Sequence, residues 1–146
     1  MKLSTRTRYG IRAMLELAEN QKSKRPLQTK VIAQRQDMSV KYLEQLMSVL
    51  KMGGFVRSVR GSKGGYVLAK RPNQIKLSDV FNCLEGQSRL SIECIENEDY
   101  CARTADCAAR QIWAEVEKAI ETVLQSTTLQ DLVDRMKGDG TLDYQI

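Results

Sequence analysis

The chain has 146 residues, 42% apolar and 28% charged, which suits one compact unit or a small reading domain with a partner-binding extension. Its formal charge of +5 hides a division: residues 1–76 hold 17 Lys and Arg against 4 Asp and Glu (net +13), and residues 77–146 hold 6 against 14 (net −8). The basic half favours a polyanionic partner over an acidic metabolite or a membrane surface, and only two prolines and 5% aromatics exclude a linker-rich or aromatic-cored protein.

A first helix is predicted over Thr5 to Glu19, with Tyr9, Ala13, Leu15, Leu17 and Ala18 giving apolar contacts beneath Arg6, Arg8 and Arg12. Pro26 closes the gap that follows, and Leu27, Val31, Ile32 and Ala33 mark a short second helix. Gln36-Asp-Met-Ser39 supplies a turn, with Ser39 as N-cap of a third helix through Leu50. That order is helix-turn-helix spacing. In the third helix Leu43, Leu46, Met47 and Leu50 form one buried face, leaving Lys41, Glu44, Gln45 and Ser48 free to touch a partner.

Gly53-Gly54 ends this helix, and Phe55-Val-Arg-Ser-Val59 alternates like a strand. Arg60-Gly-Ser-Lys-Gly-Gly-Tyr66 then reverses the chain into Tyr66-Val-Leu68, presenting Arg60 and Lys63 at a hairpin tip suited to a phosphate backbone. Helix followed by basic hairpin is the pattern of a winged DNA reader. The fold class expected is mainly α with a small β-hairpin: a winged helix-turn-helix in residues 1–76, then a cysteine loop and dimerisation helices in residues 77–146. The bland alternative is a solvated basic face without a partner.

After Arg71-Pro-Asn, a short helix is expected from Leu77 to Leu84, ending at Glu85-Gly86 and carrying Cys83 as a small core residue among Val80, Phe81 and Leu84. Three cysteines, Cys94, Cys101 and Cys107, then fall within fourteen residues. Ile112, Trp113, Val116, Ala119, Ile120, Val123 and Leu124 keep one apolar stripe along a long helix. So little chain remains to cover that stripe that pairing with a second subunit is expected. Thr128 caps a last helix in which Leu129, Leu132, Val133 and Met136 face inward, and Gly138-Asp-Gly140 releases a polar, mobile tail.

Met1-Lys-Leu-Ser-Thr-Arg-Thr-Arg8 lacks the apolar run of a secretion signal, and no stretch approaches the roughly 20 apolar residues of a membrane span, so no membrane partner and a cytoplasmic protein are expected. Cysteines in a reducing compartment read as ligands, sensors or core residues. Thiolates are the usual ligands of iron–sulfur centres, and the spacing Cys94-x6-Cys101-x5-Cys107 differs from the paired C-x-x-C hooks of many zinc sites. Thiol-only sensing, structural zinc and inert cysteines stand as alternatives. Without histidine, a nucleotide-cradling motif or a C-x-x-C pair, the chain is not expected to be an enzyme.

Lys2-Leu-Ser-Thr with Arg8-Tyr9, Tyr42-Leu-Glu-Gln-Leu46, Val59-Arg-Gly with Gly64-Gly-Tyr66, and the cysteine triplet followed by Trp113 come in an order that resembles the Rrf-two family of bacterial transcription regulators, in particular its IscR-like, iron–sulfur-sensing branch. The resemblance covers residues 2 to about 136. It implies a homodimer of winged helix-turn-helix subunits joined by a long helix and bound to a double-stranded DNA operator. It also implies a cluster, 2Fe-2S, held by Cys94, Cys101 and Cys107. Recognition-helix roles carry onto Lys41, Glu44 and Gln45, and the wing role onto Arg60.

Chemistry adds that glutamate accepts from a cytosine amino group, glutamine bonds adenine, and an arginine at a wing tip suits a narrow minor groove. Lys41 and Lys63 serve equally as phosphate clamps, and a helix pair with Lys41 or Ser48 is the plain alternative for Glu44. The branch usually completes its ligand set with a histidine just after the third cysteine, but that position is Arg110 here. The acidic residue that some relatives use near the N-terminus is Arg8. The fourth ligand is thus unknown, the donors within reach of the pattern being Glu93, Glu96, Glu98, Asp99, Asp106, Cys83, solvent or a partner carboxylate. A carboxylate is a harder ligand than thiolate, so such a cluster would be labile.

Overall fold

The computed structural model describes residues 3–86 and 92–138. Helix α1 spans Thr5–Asn20, α2 Thr29–Arg35 and α3 Val40–Met52; strands β1 (Val56–Val59) and β2 (Gly65–Leu68) form a hairpin, and α4 follows over Leu77–Glu85. A four-residue helix α5 (Glu93–Glu96), two 3-10 turns (Glu98–Tyr100 and Thr104–Asp106), the long α6 (Ala108–Ser126) and α7 (Leu129–Gly138) complete it. The expected tail lies outside the described residues.

Local chemistry accounts for each boundary. Ser4 caps α1, its Oγ accepting from Thr7 N at 3.1 Å, and Ser39 caps α3 by accepting from Tyr42 N at 3.1 Å. At the far end of α3, Gly54 adopts φ +76, letting its N–H reach Lys51 O and the Phe55 N–H reach Leu50 O, both at 3.0 Å. These two bonds satisfy the last carbonyls of the helix and turn the chain into β1. Phe55, the first residue of the expected strand, sits in the bend, so the strand begins one residue later at Val56.

β1 and β2 pair antiparallel from Val56↔Leu68 to Val59↔Gly65, and Leu27 adds a bridge to Tyr66 on the outer edge of β2. An edge bridge at Leu27, then α2, α3 and a hairpin is the chain order of a winged helix. The buried residues of α3, Leu43, Leu46, Met47 and Leu50, are those its periodicity assigns to the core. In α1 the buried set is Thr7, Gly10, Ala13, Met14, Leu17 and Ala18; Met14 takes the central place and Leu15 is only half-buried. Gly10 makes room for Leu84 of α4: a Cβ there would meet Leu84 Cδ1 at 2.5 Å.

Val80 and Leu84 of α4 and Leu129 and Val133 of α7 join the same hydrophobic core as α1–α3. Thr128 and Asp131 cap α7 reciprocally, Asp131 N donating to Thr128 Oγ1 at 3.2 Å and Thr128 N to Asp131 Oδ2 at 2.7 Å. Met136 departs from its expected inward position and is exposed, because the core ends at Val133. The stripe of α6 has no full cover within the described residues of the chain itself. No α6 residue is buried, and Ile112, Trp113 and Val123 are 54%, 47% and 62% exposed.

Candidate nucleic-acid interface and cysteine strap

α3 turns its unburied face outward, with Lys41, Glu44, Gln45 and Ser48 all exposed. The salt bridge among the described residues is Arg35–Glu16 at 3.0 Å, so Glu44 is not neutralised by a helix partner. Arg60 and Lys63 stand exposed at the hairpin tip. The hairpin is held to the helix it accompanies, since Lys51 Nζ at the end of α3 donates to Ser58 Oγ of β1 at 2.9 Å. α3 and the hairpin together therefore present six polar or charged groups on two connected projections, an arrangement able to enter a groove and straddle a backbone.

The cysteines lie on successive short turns. Cys94 is half-buried on α5, Cys101 is exposed after the first 3-10 turn, and half-buried Cys107 opens α6; all are free thiols. Glu93, beside the Tyr100 hydroxyl, pushes that phenol's pKa up, and Cys94 and Cys101 stand close enough to act in the same direction. Arg110, at the position where the resemblance would place histidine, donates from Nε to Cys94 O at 2.7 Å and from Nη2 to Ile95 O at 3.3 Å. It thereby caps α5 and fastens the strap to α6. No group of three or more cysteine and carboxylate side chains among the described residues is gathered so as to hold a metal ion.

Cys83 is half-buried against the last turn of α3, its Sγ donating to Val49 O at 3.6 Å. Burial pushes this thiol up, against a smaller opposing pull from Arg6. Nearby, Ser4 Oγ donates to Glu85 Oε1 at 2.7 Å, tying the start of α1 to the end of α4.

With this geometry in view, the comparisons are decisive for descent. The family model for Rrf2, described as iron-dependent transcriptional regulators, matches residues 3–135. The chain belongs to the Rrf2 family. It is 44% identical over 133 residues to protein rrf2 of Nitratidesulfovibrio vulgaris, covering 91% of this chain and 87% of that one. Among solved structures it is similar to CymR, the global cysteine regulator of B. subtilis, with TM-score 0.78, 39% identity, and coverage of 92% and 98% of the two chains. It is also similar to T. potens IscR, with TM-score 0.74, 38% identity, and coverage of 93% and 88%. As an Rrf2 member the chain is a DNA-binding transcription regulator, and its mainly helical architecture with one hairpin is the winged helix of these regulators. No described helix is long and apolar enough to cross a membrane.

Sequence reasoning missed the contacts that link elements distant in the chain: Ser4 to Glu85, Arg110 to Cys94, and a cluster joining Arg12, Glu16, Arg35 and Gln36. Only the Arg12-x3-Glu16 spacing on one helix face hinted at the last.

Proposed function

We propose that this protein is an iron–sulfur-cluster-sensing, sequence-specific regulator that binds a double-stranded operator as a homodimer and controls cluster biogenesis or related redox and iron genes. The observation that carries the reading is the strap itself: three unpaired thiols, accessible to solvent, mounted at the head of α6. Soft thiolates suit an iron–sulfur centre, 2Fe-2S in the resemblance, and the fourth ligand is left to a carboxylate, Cys83, solvent or a partner residue. The chemistry of the donors fits the group. Their present spacing does not, so binding requires the strap to rearrange.

Residues 1–76 carry the reading surface in this proposal, and residues 77–146 the strap and the dimer contact. Ile112, Trp113 and Val123 support the second subunit, because a long helix with this much exposed apolar surface is stabilised by covering it. Lys41, Glu44 and Gln45 read bases, and Arg60 and Lys63 engage the minor groove and phosphates. Glu44, a carboxylate facing DNA, discriminates by repulsion where no cytosine amino group meets it. Glu44→Ala then relaxes sequence preference in selections from randomised duplexes; unchanged preference and affinity in both cluster states refutes this role.

Anaerobic purification with iron and acid-labile sulfide assays tests the cofactor. Neither element in the preparation, with specific DNA binding retained, selects the second reading: a thiol-based redox or cysteine-metabolism regulator without a cluster. That reading draws on the ungathered cysteines and on the likeness to CymR.

A further inference from the structure

Base recognition demands that a reading helix be held to about half an ångström and 10–20°, and α3 starts from the turn that leaves α2, which is closed by Asp37 N donating to Gln34 O at 3.3 Å and Met38 N to Ala33 O at 3.0 Å. The chain leaves α2 at Gln36 and passes through Asp37 at φ +51, a left-handed conformation uncommon for a residue with a side chain, before Ser39 caps α3. Gln36 ties that turn to α1. Arg12 Nε on α1 donates to Gln36 Oε1 at 2.6 Å, and Gln36 Nε2 donates to Glu16 Oε1 at 2.5 Å. Glu16 Oε2 in turn accepts from Arg35 Nη1 at 3.0 Å. Each oxygen and nitrogen of the amide thus has one partner of the right kind, so its orientation is fixed.

A second contact sets the rotation of α3. The Arg12 guanidinium lies 5.3 Å from the centre of the Tyr9 ring, and Tyr9 meets Tyr42 of α3 edge-on, with centroids 6.1 Å apart and planes at 88°. Tyr42 is flanked by Lys41 and lies one turn before Gln45 and Leu46. One side chain, Arg12, therefore touches both the turn that starts α3 and the aromatic pair that orients it.

We propose that Arg12, Gln36 and Tyr9 are positioning residues for operator recognition: they set the placement of α3 and touch no base. The plain competing role for an exposed arginine in a basic domain is a phosphate clamp, and the two roles separate experimentally. A clamp acts through charge, so lysine substitutes and every duplex is affected alike. Positioning acts through the planar Nε–H and the ring face, which lysine lacks, and it affects only the duplex whose bases are read.

The inference rests on α3 reading DNA, and the test separates the two. Wild-type protein first enriches a duplex from a randomised pool; affinities of wild type, Arg12→Lys, Arg12→Ala and Gln36→Met for that duplex and for a random-sequence duplex are then measured across a salt range. Circular dichroism verifies that each variant is folded. The expected result is about a tenfold loss on the enriched duplex for all three variants, the scale of one charge-assisted hydrogen bond. Arg12→Lys and Gln36→Met keep the wild-type salt slope and the wild-type affinity for random duplex. Arg12→Lys binding like wild type overturns the proposal, as does an equal loss on both duplexes with the log–log salt slope of Arg12→Ala reduced by about 0.9 per subunit. If wild type enriches no duplex, the reading role of α3 fails first and takes this inference with it.

Discussion

Gly65→Ala is the sharpest test of how the hairpin is built. Gly65 opens β2 at φ +156, beside the bridge in which Leu27 N donates to Tyr66 O at 3.0 Å and Tyr66 N to Leu27 O at 2.9 Å. A Cβ at Gly65 would fall 2.5 Å from the Leu27 carbonyl carbon and 2.9 Å from Gln28 N, whereas real Cβ atoms essentially never come within 3.0 Å. The obstacle is backbone, which cannot swing aside as a side chain can. Relief requires the Leu27 segment to separate from β2, and both bridge hydrogen bonds go with it.

Those two bonds are worth about 1 kcal/mol each, and the backbone conformation costs a residue with a side chain roughly another 1–2 kcal/mol. The expected loss is therefore about 2–4 kcal/mol, somewhat offset by the smaller conformational freedom of alanine in the unfolded chain. For a chain of this size that corresponds to a midpoint lower by roughly 6–12 °C. Thermal and urea denaturation of Gly65→Ala, with Ser62→Ala at the exposed tip as control, measure it. A Gly65→Ala midpoint within about 2 °C of wild type would show that the bridge does not hold the hairpin, and the argument for its fixed placement beside α3 would be refuted.

Iodoacetamide labelling of the reduced protein, followed by mass spectrometry, should modify exposed Cys101 first and Cys83 last, because burial raises the Cys83 thiol and leaves it less thiolate; equal rates contradict the placement of Cys83. Thr128→Ala removes the reciprocal cap of α7 and should cost about 1 kcal/mol in urea denaturation. Glu85 is pushed up by burial, but hydrogen bonds from Ser4 and Thr7 and the charge of Arg6 outweigh this and hold its pKa below the ordinary carboxylate value. Its contribution is thus present above the unfolded value of about 4.3 and lost as pH falls through the lower folded value. Glu85→Gln should be less stable than wild type near neutrality, and the two should converge in acid. A constant difference across pH excludes this linkage.

How much of this was legible in the chain follows from the range of each interaction. The caps at Ser39 and Thr128, the glycine exit from α3 and its buried face are set by residues within a few positions of one another, and periodicity finds them. The clasp between Arg12 and Gln36 joins residues 24 positions apart, and that between Ser4 and Glu85 joins residues 81 apart; no local pattern records either. Met136 repeats the spacing of Leu129 and Val133, yet it lies past the end of α1's cover. The α6 stripe was legible as a pattern, but its expected cover is a second subunit, which a single chain cannot display. Within the strap, turns of three and four residues are too short for periodicity to register.

Under the cluster-sensing reading, a change in the strap has to reach α3 through packed elements, and α4 supplies the path. α6 lies along α4, and α4 packs on both α1 and α3. The contacts on the reading side are close: Leu84 fills the space left by Gly10, and Cys83 meets the Val49 carbonyl and the space beside Gly53. α6 is not free to slide as a whole, because its C-terminal end is sewn to the core where Leu77 N donates to Thr127 O and Leu129 N to Ile75 O, both at 2.9 Å. Its N-terminal end carries Cys107 and, through Arg110, the Cys94 turn. With α6 fixed at that end, a displacement of its loaded end would reach α3 through α4, whose Val80 and Leu84 share the core with α1 and α3. A ligand in the strap acts through this path only to the extent that it binds one arrangement more tightly than the other. A strap held by hydrogen bonds and short turns instead of a packed core is the element of this fold that such a difference in affinity can most easily move.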